Sequence, residues 1–204
     1  TMGIGPSTDV VIYDDWGTLF AIRVWWVLAY YGFDRVRVLD GGWQAWVSAG
    51  LPVSYEVPDV REVEDLDIEV DPRRIIGRAE LQRRHADEDL QVLDVRSEDA
   101  FNGVVFRGNK RKGRILGATH LEWNRRLENS TDAQAVRVLR SENEVDTLIT
   151  GAPLDLALEV VAHCQAAVRA THTAFVLEVM GYPLVRVYDG SMEEWANRTD
   201  TPLE

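Results

Sequence analysis

Cys164 is the only cysteine in this 204-residue chain, and Arg169 follows it five positions later. A thiol and a fixed cation at that spacing fit nucleophilic chemistry on an anionic substrate. The thiolate is the reactive form of cysteine, and a neighbouring cation favours it. Between the two lie Gln165, Ala166, Ala167 and Val168. Their backbone N–H groups, in a loop that opens a helix, make a cradle for negative charge. A lone cysteine beside a strand is also an ordinary small hydrophobe. Residue types alone therefore leave an inert, buried thiol open as the alternative.

The flanking segments are of the kind that could position such a loop. Leu158, Val160, Val161 and Ala162 form a short apolar run that reads as a buried strand. Residues 170–180, with Ala170, Ala174, Phe175, Leu177 and Val179, suit a helix that ends at Gly181. A second buried strand is predicted over 91–95, ending in Asp94-Val95-Arg96, and a helix over 76–86 with Ala79 and Leu81. At the carboxyl ends of strands in an open α/β sheet, side chains face the ligand crevice. Asp94 is thus expected to support the active loop. Arg96 is expected either to pair with Asp94 or to help fix an anion.

An internal repeat sets the organisation. VVIYDD (10–15) parallels VVAHCQ (160–165), and VRVLDGGWQAW (36–46) parallels VRVYDGSMEEW (185–195). The predicted helix over 21–31 parallels 170–180, each followed by a glycine, Gly32 and Gly181. In this register Asp14 falls where Cys164 falls, and a carboxylate cannot replace a thiol nucleophile.

These pieces together resemble the rhodanese family of sulfurtransferases in its tandem, two-module form. The resemblance rests on LDVR (93–96), GRILGA (113–118), CQAAVR (164–169) and RVYDGSMEEW through DTPLE at the end, in family order over 73–204. It implies a three-layer α/β fold with a mostly parallel central sheet and helices on both faces. Residues 1–55 would be an incomplete and catalytically inactive module, 56–72 an acidic linker, and 73–204 the catalytic module. It implies that Cys164 carries sulfur as a persulfide, taken from thiosulfate and passed to a thiophilic acceptor such as cyanide. Arg169, Arg96 and the N–H groups of Gln165, Ala166, Ala167 and Val168 would bind the donor, with Asp94 supporting the loop. Neither cofactor nor metal is implied.

The chain departs from the family at three places. Arg114 and Leu116 stand for the His and Pro of the usual GHIPGA, and Ala100 stands where mercaptopyruvate-type members usually carry an arginine. The front half of the first module has no counterpart, so a preceding segment or a second chain is expected to cover residues 1–55.

Bulk properties narrow the remaining choices. A formal net charge of −12 argues against nucleic acid or an anionic membrane as partner. Within that acidic chain Arg107, Lys110, Arg111, Lys112 and Arg114 form a basic cluster, read either as a draw for a dianionic donor or as an exposed insertion. No apolar run reaches the roughly 20 residues of a spanning helix. One cysteine fits a reducing, cytoplasmic compartment, with a periplasmic or exported location left open. His163 is expected to point away from Cys164 by strand alternation, and His172 to be structural. Two other classes stay in view. One is a dual-specificity-type phosphatase or arsenate reductase, whose loop resembles C-x5-R where this one is C-x4-R. The other is a persulfide carrier without fast turnover.

Overall fold

The computed structural model describes residues 3–126, 138–139, 141–151, 154–155 and 157–204. Two compact units emerge. One runs over Thr1–Asp71, and Leu139 belongs with it, its N–H donating to Asp40 Oδ1 at 3.0 Å. The other takes Pro72–Arg126 and Arg140–Glu204.

The first unit is a β-α-β-α run: β1 (Val10–Ile12), α1 (Leu19–Tyr30), β2 (Val36–Val38) and α2 (Gly42–Ser48). β1 and β2 pair in parallel, Val10 opposite Val36. Helix α1 starts two residues ahead of the expected 21–31, and Asp14 explains why. Its carboxylate reaches forward to the helix N-terminus, Oδ1 accepting from Trp16 N–H and Thr18 N–H, both at 2.9 Å. Its Oδ2 accepts from Phe20 N–H at 2.7 Å and Ala21 N–H at 2.8 Å. Orphan donors at a helix start need acceptors, and a negative charge there also meets the positive end of the helix dipole. The capping group thus lies four residues before the N-cap, Thr18, where no sequence signal looks for it. Ala21, Ile22 and Trp26 bury the inner stripe of α1. Val11, Tyr13, Trp16 and Phe20 remain about half exposed or more. Residues 56–71 carry no helix or strand, and Asp71 N–H closes onto Tyr30 O at 2.8 Å.

The second unit contains α3 (Arg78–Arg84), β3 (Leu90–Asp94), α4 (Glu98–Phe101), β4 (Thr119–His120), α5 (Glu142–Thr150), β5 (Glu159–His163), α6 (Val168–Val179), β6 (Val185–Val187) and α7 (Ser191–Trp195). The strands form one sheet in the order β4-β3-β5-β6, every pair parallel. All five residues of β5 are buried, as expected of a central parallel strand covered on both faces. One face carries Leu81, Val92, Val161, Tyr188, Met192 and Trp195 in a single cluster. The buried residues of α6 stay outside that cluster and pack on β5 and β6. Ile76, expected in a helix, instead joins the sheet edge, its N–H donating to Val187 O at 3.0 Å. This is the α/β architecture expected from the sequence, a parallel sheet with helices packed on it. Among the described residues no helix is long and apolar enough to cross a membrane.

The basic stretch after α4 is tied down rather than free. The Arg111 guanidinium donates to Thr201 O at 2.7 Å and Trp195 O at 2.9 Å, and also reaches the Thr201 hydroxyl. Arg114 pairs with Glu204 at 3.1 Å and lies over the Phe101 ring. Arg107, Lys110 and Lys112 are exposed. The cluster thus divides by role, with Arg111 and Arg114 holding the last residues of the unit in place. Gly113 makes this packing possible. It sits at φ +105, and a Cβ there would lie 2.1 Å from Glu204 O.

Replacing Asp14 with Ala strips four N–H groups of their acceptor and should lower stability by about 2 kcal/mol. Asp14→Asn, which keeps one acceptor oxygen, should lose less. Chemical denaturation of the three proteins, read as midpoint shifts, checks the order.

Candidate active site

The cysteine loop is the connection from β5 to α6. Cys164 is the first residue beyond β5 and is 1% exposed. The chain turns into the helix through Ala167 at φ 59, a left-handed conformation uncommon for alanine. Val168 N–H closes on Ala166 O at 2.8 Å. Ala167 N–H and Cys164 N–H both donate to the Ser191 hydroxyl oxygen at 3.2 Å. Among the described residues, the N–H groups of Gln165 and Ala166 have no acceptor. The Arg169 guanidinium, partly exposed in the first turn of α6, likewise has no ion-pair or hydrogen-bond partner among them. The loop therefore presents a thiol, two open backbone donors and one uncommitted cation. Of the four loop N–H groups considered in the sequence, the geometry leaves two available and spends that of Ala167 on Ser191 and that of Val168 on Ala166 O.

The end of β3 lies beside the end of β5, Val95 N–H donating to His163 O at 3.0 Å. Asp94 and Arg96 are both buried and form a fork. Arg96 Nε stands 2.9 and 3.0 Å from the two Asp94 oxygens, and Nη2 stands 2.6 Å from Oδ2. Arg96 N–H adds a 3.0 Å bond to Asp94 Oδ1, and Nη2 also donates to Gly113 O at 2.9 Å. Of the two roles open to Arg96 in the sequence, the geometry shows the ion pair. His163 is fully buried with its Nε2 3.8 Å from Asp94 Oδ2, and neither ring nitrogen has a hydrogen-bond partner among the described residues. Burial opposes charge on Asp94, but the His163 ring and the Arg96 guanidinium outweigh it and hold the carboxyl below its usual range. Burial pushes the His163 ring down against the pull of Asp94. His172 is buried in α6, its ring edge-on to Trp123 at 5.3 Å.

Two residues that sequence reasoning missed shape the loop. Asn109 and Gln165 exchange amide bonds, Asn109 Nδ2 to Gln165 Oε1 at 3.2 Å and Gln165 Nε2 to Asn109 Oδ1 at 2.9 Å. Asn197 Nδ2 also donates to Asn109 Oδ1 at 3.2 Å. The Gln165 side chain is thereby committed to the insertion loop. Ser191 is the other, and its type and place after Asp189-Gly190 were the only available signal. Among the described residues no group of three His, Cys, Asp or Glu is arranged to hold a metal.

The sequence profile of the rhodanese-like domain matches residues 2–49 and 78–198. The chain belongs to the rhodanese family. It is 33% identical over 202 residues to a probable 3-mercaptopyruvate sulfurtransferase of Pseudomonas aeruginosa, covering 98% of this chain and 69% of that protein. To the thiosulfate sulfurtransferase of Azotobacter vinelandii it is 31% identical over 203 residues, covering 100% of the chain and 72% of the relative. Among solved structures it matches the anaerobic ergothioneine biosynthesis enzyme from Chlorobium limicola in complex with trimethyl histidine (TM-score 0.84, 28% identity). It also matches EanB carrying a cysteine persulfide with ergothioneine (TM-score 0.83, 28% identity). Both alignments cover 100% of this rhodanese-family chain and 52% of the other, so it spans about half the length of those proteins.

The buried titratable groups predict how stability of this rhodanese-family chain responds to acid. Burial holds His163 below its ordinary value of about 6.5, so the unfolded chain takes up its proton first and stability declines below that pH. Asp94, held below its ordinary value, contributes stability that is complete above about 4 and lost as pH falls through its folded value. His163→Gln should flatten the first limb of the decline. Asp94→Asn leaves Arg96 buried without its counter-charge and should cost about 3–5 kcal/mol at neutral pH. Denaturant midpoints measured from pH 8 to pH 3 test both.

Proposed function

We propose that the chain is a sulfurtransferase in which Cys164 carries sulfane sulfur as a persulfide, from thiosulfate to a thiophilic acceptor such as cyanide. One observation carries this reading: the chain's single cysteine lies in a loop with two open N–H donors and an uncommitted arginine. The sulfurtransferase relatives and the persulfide-bearing structural neighbour support it.

The chemistry is a double displacement. The Cys164 thiolate attacks the outer sulfur of thiosulfate, a new S–S bond forms, and the donor's S–S bond breaks with its electron pair leaving on sulfite. Arg169 meets the donor's sulfonate, a fixed cation against a trigonal array of oxygens. The negative charge then rests on the outer persulfide sulfur, where the N–H groups of Gln165 and Ala166 stabilise it as donors stabilise an oxyanion. Cyanide attacks that sulfur, thiocyanate leaves, and the thiolate is restored. Electrons balance within the two steps. Asp94 and Arg96 act as support, fixing the end of β3 beside that of β5.

Thiosulfate is preferred over 3-mercaptopyruvate because Ala100 stands where mercaptopyruvate-type members of the family usually carry an arginine. Glu98 and Asp99 on the same helix add negative charge nearby in sequence.

Intact mass after thiosulfate treatment is the deciding measurement. A gain of one sulfur is expected, removed by cyanide and absent from Cys164→Ala. Arg169→Ala should slow loading at sub-saturating thiosulfate about tenfold or more, the scale of a lost charge-assisted contact, with Arg169→Lys intermediate. Loading by 3-mercaptopyruvate in preference to thiosulfate would reverse the donor assignment. Loading without turnover to thiocyanate would make the chain a carrier.

A further inference from the structure

Ser191 occupies a position whose backbone suits glycine. It opens α7 at φ +48, a left-handed conformation unfavourable for an L side chain. The equivalent place in the first unit, at the start of α2, is Gly42 at φ +51. The residue after each makes the same bond: Trp43 N–H to Asp14 O at 2.8 Å, and Met192 N–H to Cys164 O at 3.1 Å. A strained conformation retained beside a reactive loop calls for a compensating role.

The hydroxyl supplies that role. Its oxygen accepts from Cys164 N–H and from Ala167 N–H, each at 3.2 Å, and its proton goes to Tyr188 O at 2.9 Å. One donor and two acceptor sites are all that a hydroxyl has, so Ser191 is saturated, and it is completely buried. Cys164 and Ala167 are the first residue of the loop and the N-cap of α6. A single oxygen therefore fixes the distance between the loop's two ends.

The first unit provides the contrast. There the N–H of Thr18, the N-cap of α1, goes to the Asp14 carboxylate, so the loop is shaped around an anion supplied by its own chain. In the second unit the N-cap N–H goes to a neutral hydroxyl from α7. The loop's brace is thus a hydroxyl and not a carboxylate of its own chain segment, and it leaves the Gln165 and Ala166 donors open.

We propose that Ser191 is a positioning residue for sulfur transfer, its hydroxyl holding the cradle in the shape that receives the persulfide charge. The proposal rests on the sulfurtransferase reading of Cys164. Preformed donors act without reorganisation at the moment of reaction, so the effect falls on the rate of sulfur loading and not on donor capture, which belongs to Arg169.

Ser191→Gly removes the hydroxyl while relieving the backbone, and Ser191→Ala removes it without relief. Both are compared with the wild-type chain in single-turnover loading from thiosulfate, with thermal unfolding and amide hydrogen exchange alongside. Ser191→Gly is expected to melt near the wild-type temperature, to load about tenfold more slowly at saturating thiosulfate, and to keep the half-saturating concentration. Its Cys164 and Ala167 amides should exchange at least tenfold faster. Wild-type loading rates in Ser191→Gly overturn the proposal, as does slow loading explained by a raised half-saturating concentration alone. If the wild-type chain gains no sulfur, the sulfurtransferase reading fails. Exchange then decides the hydroxyl's part: unchanged protection of the two amides overturns it, and selective loss upholds the bracing.

Discussion

Turning a parallel strand into the helix that crosses back over it leaves backbone N–H groups with no partner inside the helix. Every other feature of the two loops follows from how those donors are satisfied. In the first unit Asp14 takes four of them, and the loop is closed by a charge it cannot release. In the second unit a hydroxyl takes two, a loop carbonyl takes one, and two remain open beside a thiol. The same local fold is thus sealed in one unit and available for chemistry in the other. What separates them is which side chain answers the donors.

Availability needs rigidity beneath it. The Asp94–Arg96 fork is buried, and every strong donor named on it reaches either the partner carboxylate or Gly113 O. Buried ion pairs contribute little net stability, yet they are costly to break, so they hold geometry well. Through Gly113 the fork reaches the segment that Arg111 and Arg114 anchor to residues 201–204. The basic residues in that segment are therefore divided between structure and solvent. A count of charges along the sequence could not make that division.

Much of this was legible beforehand. The apolar runs gave β3 and β5, the glycine after 180 gave the end of α6, and the spacing of Cys164 and Arg169 singled out the loop. The helix starts were less legible because Asp14 and the left-handed N-caps do the work that Ser or Thr caps ordinarily signal. Ile76 was misplaced because its N–H bonds Val187 O beside the Ile75–Val187 bridge, a contact spanning more than a hundred residues. The partner Asn109 left no trace in local pattern, and Ser191 only its type and its place after Asp189-Gly190. Their meaning lies in distances across the fold, 56 and 27 residues along the chain from the groups they hold.

The amide pair between Asn109 and Gln165 has a consequence for how such loops diversify. Each side chain offers one donor face and one acceptor face, so the pair is complete only when both residues are present. A cation at 165 would remove the Oε1 acceptor that Asn109 Nδ2 uses and confront that amide with a second donor. A shorter side chain there would leave Asn109, itself 6% exposed, with buried polar atoms to satisfy. The loop residue beside the nucleophile and the insertion residue across from it therefore form one heritable unit. Changes in the chemistry of the cradle at 165 have to arrive together with changes at 109, or by way of an intermediate that tolerates the mismatch.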